Sequence, residues 1–211
     1  MKALVLGFEP FNGDVINPAA EAVTRLRSAL GSMGVSGGLL PTSFARALPA
    51  LDAAIAHARP DIVLGVGLAG GRSALSLERI AINLDEASIA DNDGAVPVGL
   101  PIVAGGPAAY FATLPLRAAA AALRAAGLPA SISNTAGTFV CNHFFYGLMH
   151  RAAVQGFRGG FLHVPYLPQQ AARHGGAPSM AIEHIVQGIE IVLAVAAERR
   201  EDIVASEGAV S

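Results

Sequence analysis

Short apolar runs closed by glycine or proline turns alternate along this sequence with stretches of helical periodicity, and no other feature narrows its folding options as far. Such alternation is the signature of βαβ units around a mostly parallel sheet, so the chain is expected in the α/β class. Ala3 to Leu6 reads as the first strand. Asn17 is placed to cap a helix that opens on Pro18 and runs through Ala22, Val23, Leu26 and Leu30 to a stop at Gly31. Leu39 and Leu40 mark a second strand, Leu48 to Ala58 a second helix, and Pro60-Asp61 a turn into the apolar strand Ile62 to Val66. Ile80, Ile82 and Leu84 alternate as in a half-buried strand, and Asp91 to Gly106 is loop-like. Then follow a helix over Leu116 to Ala126, a strand over Ser131 to Ser133, a helix over Phe139 to Val154 and a strand over Phe161 to Val164. A last helix, Ser179 to about Arg199, sets Ile182, Ile185, Val186, Ile189 and Leu193 on one face, with basic residues near its end.

With 211 residues and no linker or repeat, one compact domain over 1–211 is expected. Hydrophobic residues make up 53% and charged ones 14%, against roughly 25% charged in an ordinary domain, which excludes disorder and leaves apolar surface for burial between subunits. Fourteen basic against sixteen acidic side chains, with no basic stripe interleaved with aromatics, exclude a nucleic-acid surface. The single cysteine rules out an intrachain disulfide framework and a multi-thiolate metal site, and a lone thiol suits a reducing cytoplasm. No apolar window reaches about 18 residues, and the stretch after Lys2 is too brief for a signal peptide, so neither membrane insertion nor secretion is expected.

In an open α/β sheet, ligands collect beyond the carboxyl ends of the strands. Phe8, Glu9 and Phe11, the segment Gly65 to Arg72, the segment Gly137 to Asn142, and His163 all fall there. Gly65-Val66-Gly67-Leu68-Ala69-Gly70 formally matches a dinucleotide fingerprint, but that motif must open a helix, whereas a strand pattern follows here. Asp91-Asn92-Asp93-Gly94 lacks the alternate spacing and closing glutamate of a calcium loop and reads as a turn.

Cys141, among Phe139, Val140, Phe144 and Phe145, reads on composition alone as a small buried hydrophobe. Its position favours another role. With Thr138 as N-cap, Cys141 falls in the first turn of a helix, where free amides and the dipole are expected to lower the thiol pKa and to hold an oxyanion. A thiolate nucleophile for acyl transfer needs a base and later an acid, and His163 at a strand end can be both. His143, two residues beyond the cysteine, points to a different face and is the weaker base; His57, His150, His174 and His184 read as surface or packing residues. Glu78 is the carboxylate placed to orient His163, with an ion pair to Arg79 as its alternative. Phe144 and Phe145, deeper in the helix, read as core.

These residues closely resemble the pyroglutamyl peptidase I family, also called pyrrolidone-carboxylate peptidases, which are cytosolic cysteine exopeptidases. The likeness runs through Gly7-Phe8-Glu9-Pro10-Phe11, Asn17-Pro18, Gly67 to Arg72, Glu78 to Asn83, Asp91-Asn92 and Gly105-Gly106-Pro107. Its most specific blocks are Thr135 to His143, around the cysteine, and Gly160 to Tyr166, around the histidine. The resemblance implies a single-domain α/β/α sandwich around a twisted sheet, with a Cys141, His163 and Glu78 triad that hydrolyses the amide after an N-terminal pyroglutamyl residue. It implies no metal or organic cofactor. It carries an apolar lactam pocket over to Phe8, Phe11, Thr42, Ile89, Phe139 and Val140, with Asn17 and the backbone near Leu68 as polar contacts. Leu68 itself stands where close bacterial relatives have glutamine, so only a backbone hydrogen bond is carried over there. The resemblance further implies a homotetramer. A neutral lactam without a free amine suits phenylalanine faces with a few amide-matching groups. The competing readings are another cysteine amidase using the same triad, and a nucleotide-binding α/β module with a structural cysteine.

Overall fold

The computed structural model describes residues 1–208. Its strands are β1 (Lys2–Phe8), β2 (Ala29–Leu30), β3 (Met33–Leu40), β4 (Ile62–Leu68), β5 (Leu75–Glu78), β6 (Ile80–Ile82), β7 (Ala109–Phe111), β8 (Ala130–Ser133) and β9 (Arg158–Val164). The helices are α1 (Pro18–Val23), α2 (Ala47–Ala58), α3 (Leu116–Ala125), α4 (Val140–Gln155), α5 (Pro168–Ala171) and α6 (Ile182–Glu198). Seven strands form one sheet in the order β2-β3-β1-β4-β9-β5-β8, and β6 pairs with β7 in a separate ribbon. The large sheet is mostly parallel, with β2 antiparallel to β3 and β5 antiparallel to β9.

Side-chain alternation along the strands divides the core in two. Ala3, Val5, Leu64, Val66, Leu162 and Val164 face helices α1, α3 and α6, while Leu4, Leu6, Phe8 and Phe161 face α2 and α4. Helices therefore cover both faces, as an α/β/α sandwich requires. Phe144 and Phe145 are fully buried in the second layer, in accord with their reading as core. Tight backbone approach makes that layer possible: a Cβ on Gly65 would stand 2.4 Å from Phe144 and 2.6 Å from Phe161.

Several local expectations are corrected. The first helix stops at Val23, not Leu30. Asn17 and Pro18 do open it, with the Asn17 side chain accepting the Ala19 amide, but Ala29–Leu30 then pairs with Met33–Gly34 as a hairpin. Gly31, at φ +59°, is the hairpin turn and not a helix stop. The Ile80 strand ends at Ile82, and the basic residues Arg199 and Arg200 lie beyond the end of α6. Strands β5 and β7 and the short α5 carry too few alternating apolar residues to stand out in the sequence. No helix among the described residues is long and apolar enough to cross a membrane.

Candidate active site

Strands β4, β9 and β5 are neighbours, and their ends bring together residues far apart in the chain. Gly67 on β4 is in register with His163 on β9. A Cβ on Gly67 would lie 2.9 Å from the Cys141 sulfur, so the absent side chain is what lets the first turn of α4 set its thiol onto the strand beside His163. On the other flank of β9, Glu78 opposes Phe161, two residues before His163 and on the same face. Glu78 Oε1 consequently reaches His163 Nδ1 at 2.7 Å. A carboxylate only accepts, so Nδ1 carries the hydrogen and Nε2 is left as the basic nitrogen.

Glu78 is fully buried, and its partner is not Arg79. Arg72 Nη1 donates to the same Oε1 at 2.7 Å, whereas Arg79 donates to Asn134 and to the Glu207 carbonyl. The alternative reading, an ion pair with Arg79, does not hold; the cation beside Glu78 is Arg72, which reaches it from the loop after β4.

Desolvation dominates the electrostatics here. Burial, reinforced by the nearby Glu78 charge and opposed by Arg72, pushes the Cys141 thiol up to about 12. Burial likewise pushes His163 down, against the raising effects of its Glu78 contact. Burial thus acts against the expected lowering of the thiol pKa and favours a neutral thiol beside a neutral imidazole. Among the described residues the ring bonds to Glu78 and not to the sulfur. Thr138 is not the N-cap of α4. That position is Phe139, with no side-chain cap, while Thr138 Oγ1 donates to the Glu86 carbonyl and pins the segment after β6.

The remaining expected site residues divide by depth. Phe8 is buried, edge-on to Phe144 with centroids 5.3 Å apart. Phe11 and Phe139, both half-buried, lie 5.9 Å apart. Val140 is buried at the start of α4, Leu68 ends β4, and Ile89 is exposed on the loop near Phe139. Thr42 donates to the Glu9 carbonyl, as does Asn17 Nδ2, so both side chains hold the loop that carries Phe11. Phe44, missed in the sequence, stands perpendicular to Phe139 at 5.4 Å and extends the aromatic wall. Its signal is its position just past the carboxyl end of β3.

His143 has its own carboxylate, with Nδ1 2.8 Å from Asp85 Oδ2. The G-x-G-x-x-G run leads into a turn and then β5, with no helix following, and its glycines serve packing: Gly70 admits the Tyr166 ring as Gly67 admits Cys141. Asp91 accepts the Asp93 and Ala95 amides, as a turn residue does. Among the described residues no cluster of three or more His, Cys, Asp or Glu could hold a metal ion.

A half-buried Cys beside a buried His and Glu, where β4, β9 and β5 meet, fits the class of cysteine-type hydrolases. The model of the pyroglutamyl peptidase family matches residues 1–199, and the chain belongs to that family. It is 52% identical over 207 residues to pyrrolidone-carboxylate peptidase 1 of Ralstonia nicotianae, covering 95% of this chain and 94% of that protein. It is 49% identical over 209 residues to the pyrrolidone-carboxylate peptidase of Erwinia tasmaniensis, covering 99% and 98%. Among solved structures, pyroglutamyl peptidase I of Bacillus amyloliquefaciens superposes with a TM-score of 0.95 at 44% identity, over 97% of this chain and 99% of that one. Pyrrolidone carboxyl peptidase of Pyrococcus furiosus superposes with a TM-score of 0.91 at 41% identity, over 94% and 99%.

Proposed function

We propose that this cysteine peptidase removes N-terminal pyroglutamate from peptides through Cys141, His163 and Glu78. The observation that carries the residue assignment is the seating of the Cys141 sulfur on Gly67, in register with a His163 whose Nδ1 is fixed by Glu78. With burial favouring a neutral thiol and a neutral imidazole, His163 Nε2 takes the sulfur proton as Sγ attacks the pyroglutamyl carbonyl. The tetrahedral intermediate collapses with the carbon–nitrogen bond breaking, and the imidazolium gives that proton to the leaving amine. Water then attacks the thioester, with His163 as base, to release pyroglutamate and restore the thiol.

The lactam lies among Phe8, Phe11, Thr42, Ile89, Phe139 and Val140, with Asn17 and the Leu68 backbone supplying polar contacts. Residues 1–211 act as one catalytic domain, of which 209–211 lie outside the described residues. Exposed Val96, Val98 and Leu100 are available for subunit contact, in line with the homotetramer that the family resemblance implies, and the lone thiol supports a cytoplasmic location.

A panel of reporter amides tests this reading. Pyroglutamyl amides should be cleaved and prolyl amides rejected, because prolyl brings a protonated amine to aromatic faces and leaves any buried donor for the ring carbonyl unpaired, at about 1–3 kcal/mol. Equal cleavage of both would point to a general cysteine amidase.

A further inference from the structure

Arg72 belongs to none of the roles assigned so far, yet its guanidinium joins two parts of the site. Nη1 donates to Glu78 Oε1 at 2.7 Å, and Nη2 donates to the Thr135 carbonyl at 3.2 Å. Thr135 belongs to the loop that leads into α4, and its own side chain accepts the Gly137 amide, four residues before Cys141. Gly71, at φ +87°, turns the chain just ahead of Arg72 so that it leaves β4 toward β5. One planar, permanently charged fork therefore spans the carboxylate behind the histidine and the backbone approach to the nucleophile.

We propose that Arg72 is a positioning residue for the reaction: it holds the Glu78 side chain aimed at His163 and braces the Thr135–Gly137 loop from which Cys141 is presented. This inference rests on the triad reading above. Glu78 is fully buried, and among the described residues its Oε2 has no hydrogen-bond partner, so Oε1 carries both of its contacts. Without Arg72, the buried Glu78 side chain keeps only its contact to the imidazole, and both its aim at His163 and the approach to Cys141 lose their brace. Lysine can supply the charge but not both contacts of the fork.

The groups facing His163 are Glu78 from β5, Arg72 from the β4–β5 loop and Cys141 from α4. The Arg72 charge lowers both the thiol and the imidazole pKa, so its removal raises both. The acid limb of kcat/KM, set by loss of neutral His163, should then move to higher pH.

The test compares Arg72→Met, Arg72→Lys, Glu78→Gln and, as a charge-loss control, Arg25→Gln, using a pyroglutamyl reporter amide across pH. Arg72→Met should lower kcat about 10- to 100-fold with KM changed less than about threefold, and should displace the acid limb upward. Arg72→Lys should restore the limb and only part of kcat, and Arg25→Gln should leave both unchanged. If Arg72→Met fails to fold, Arg72→Gln, which keeps amide donors but no charge, carries the same expectation for the limb. An unshifted profile and near-normal kcat in Arg72→Met, with Glu78→Gln inactive, would overturn the role of Arg72 and leave the triad standing. Normal activity in Glu78→Gln as well would overturn both.

Discussion

Two buried histidine–carboxylate pairs flank the same cysteine, and by distance alone they are nearly indistinguishable: 2.7 Å for His163–Glu78 and 2.8 Å for His143–Asp85. Their surroundings separate them. His163 stands on a strand end in register with Gly67, where the thiol sits, and its carboxylate is shared with Arg72. His143 lies inside α4 edge-on to Phe44, its Nε2 is buried with no hydrogen-bond partner among the described residues, and its carboxylate belongs to the segment that bridges to Leu100. In the proposed mechanism the first pair serves the neighbouring sulfur. The second fastens the segment after β6 to the helix. A short histidine–carboxylate contact therefore identifies a catalytic base only when a reactive atom waits beside the other ring nitrogen.

Exchange of the two histidines should split activity from stability. His163→Ala should lower kcat about 1000-fold or more, with Glu78→Gln less damaging, since the base moves protons and the carboxylate orients it. His163→Ala should also unfold close to wild type, because Arg72 still neutralises Glu78. His143→Ala should do the reverse. It strands Asp85, itself buried, at about 3 kcal/mol or more in urea unfolding, while kcat at a permissive temperature stays within about threefold. A His143→Ala enzyme that is stable and inactive would break the comparison.

The pH dependence sharpens it. Burial lowers His163, so the neutral base survives into more acid solution, and the acid limb of kcat/KM should fall below the ordinary histidine value of about 6.5. Burial raises Cys141, so alkylation of the free enzyme by iodoacetamide should still be climbing above pH 9. A midpoint below about 8.5 would mean that the helix terminus outweighs desolvation after all. The smallest effect is expected at the pocket rim. Phe11→Ala removes one half-buried face against Phe139 and should reduce kcat/KM for pyroglutamyl amides about tenfold, without making prolyl amides good substrates.

Local grammar carried much of this into the sequence. The apolar runs of β4 and β9, the Asn17-Pro18 helix start, and the placement of Cys141, Glu78 and His163 at element ends are all legible because each rests on neighbouring residues. What stayed hidden depends on partners distant in the chain. Glu78 and His163 are 85 positions apart, and the choice of Arg72 over Arg79 follows from how the β4–β5 loop turns, which composition does not encode. The Leu30–Met33 hairpin was masked by a helical spacing that tertiary pairing overrides. The thiol pKa is hidden for a related reason. A helix terminus is local and readable, whereas the desolvation opposing it is the sum of the packing around Gly67 and Phe161.

His163, and no other histidine, takes the proton of the Cys141 thiol in the proposed mechanism, and trapping the covalent intermediate tests this most directly. Wild-type, His163→Ala and His143→Ala enzymes are mixed with a pyroglutamyl reporter amide, quenched in acid within one turnover, digested and analysed by mass spectrometry. A pyroglutamyl adduct on Cys141 should accumulate in the wild type and in His143→Ala and be absent from His163→Ala. An adduct undiminished in His163→Ala but lost in His143→Ala would contradict the account.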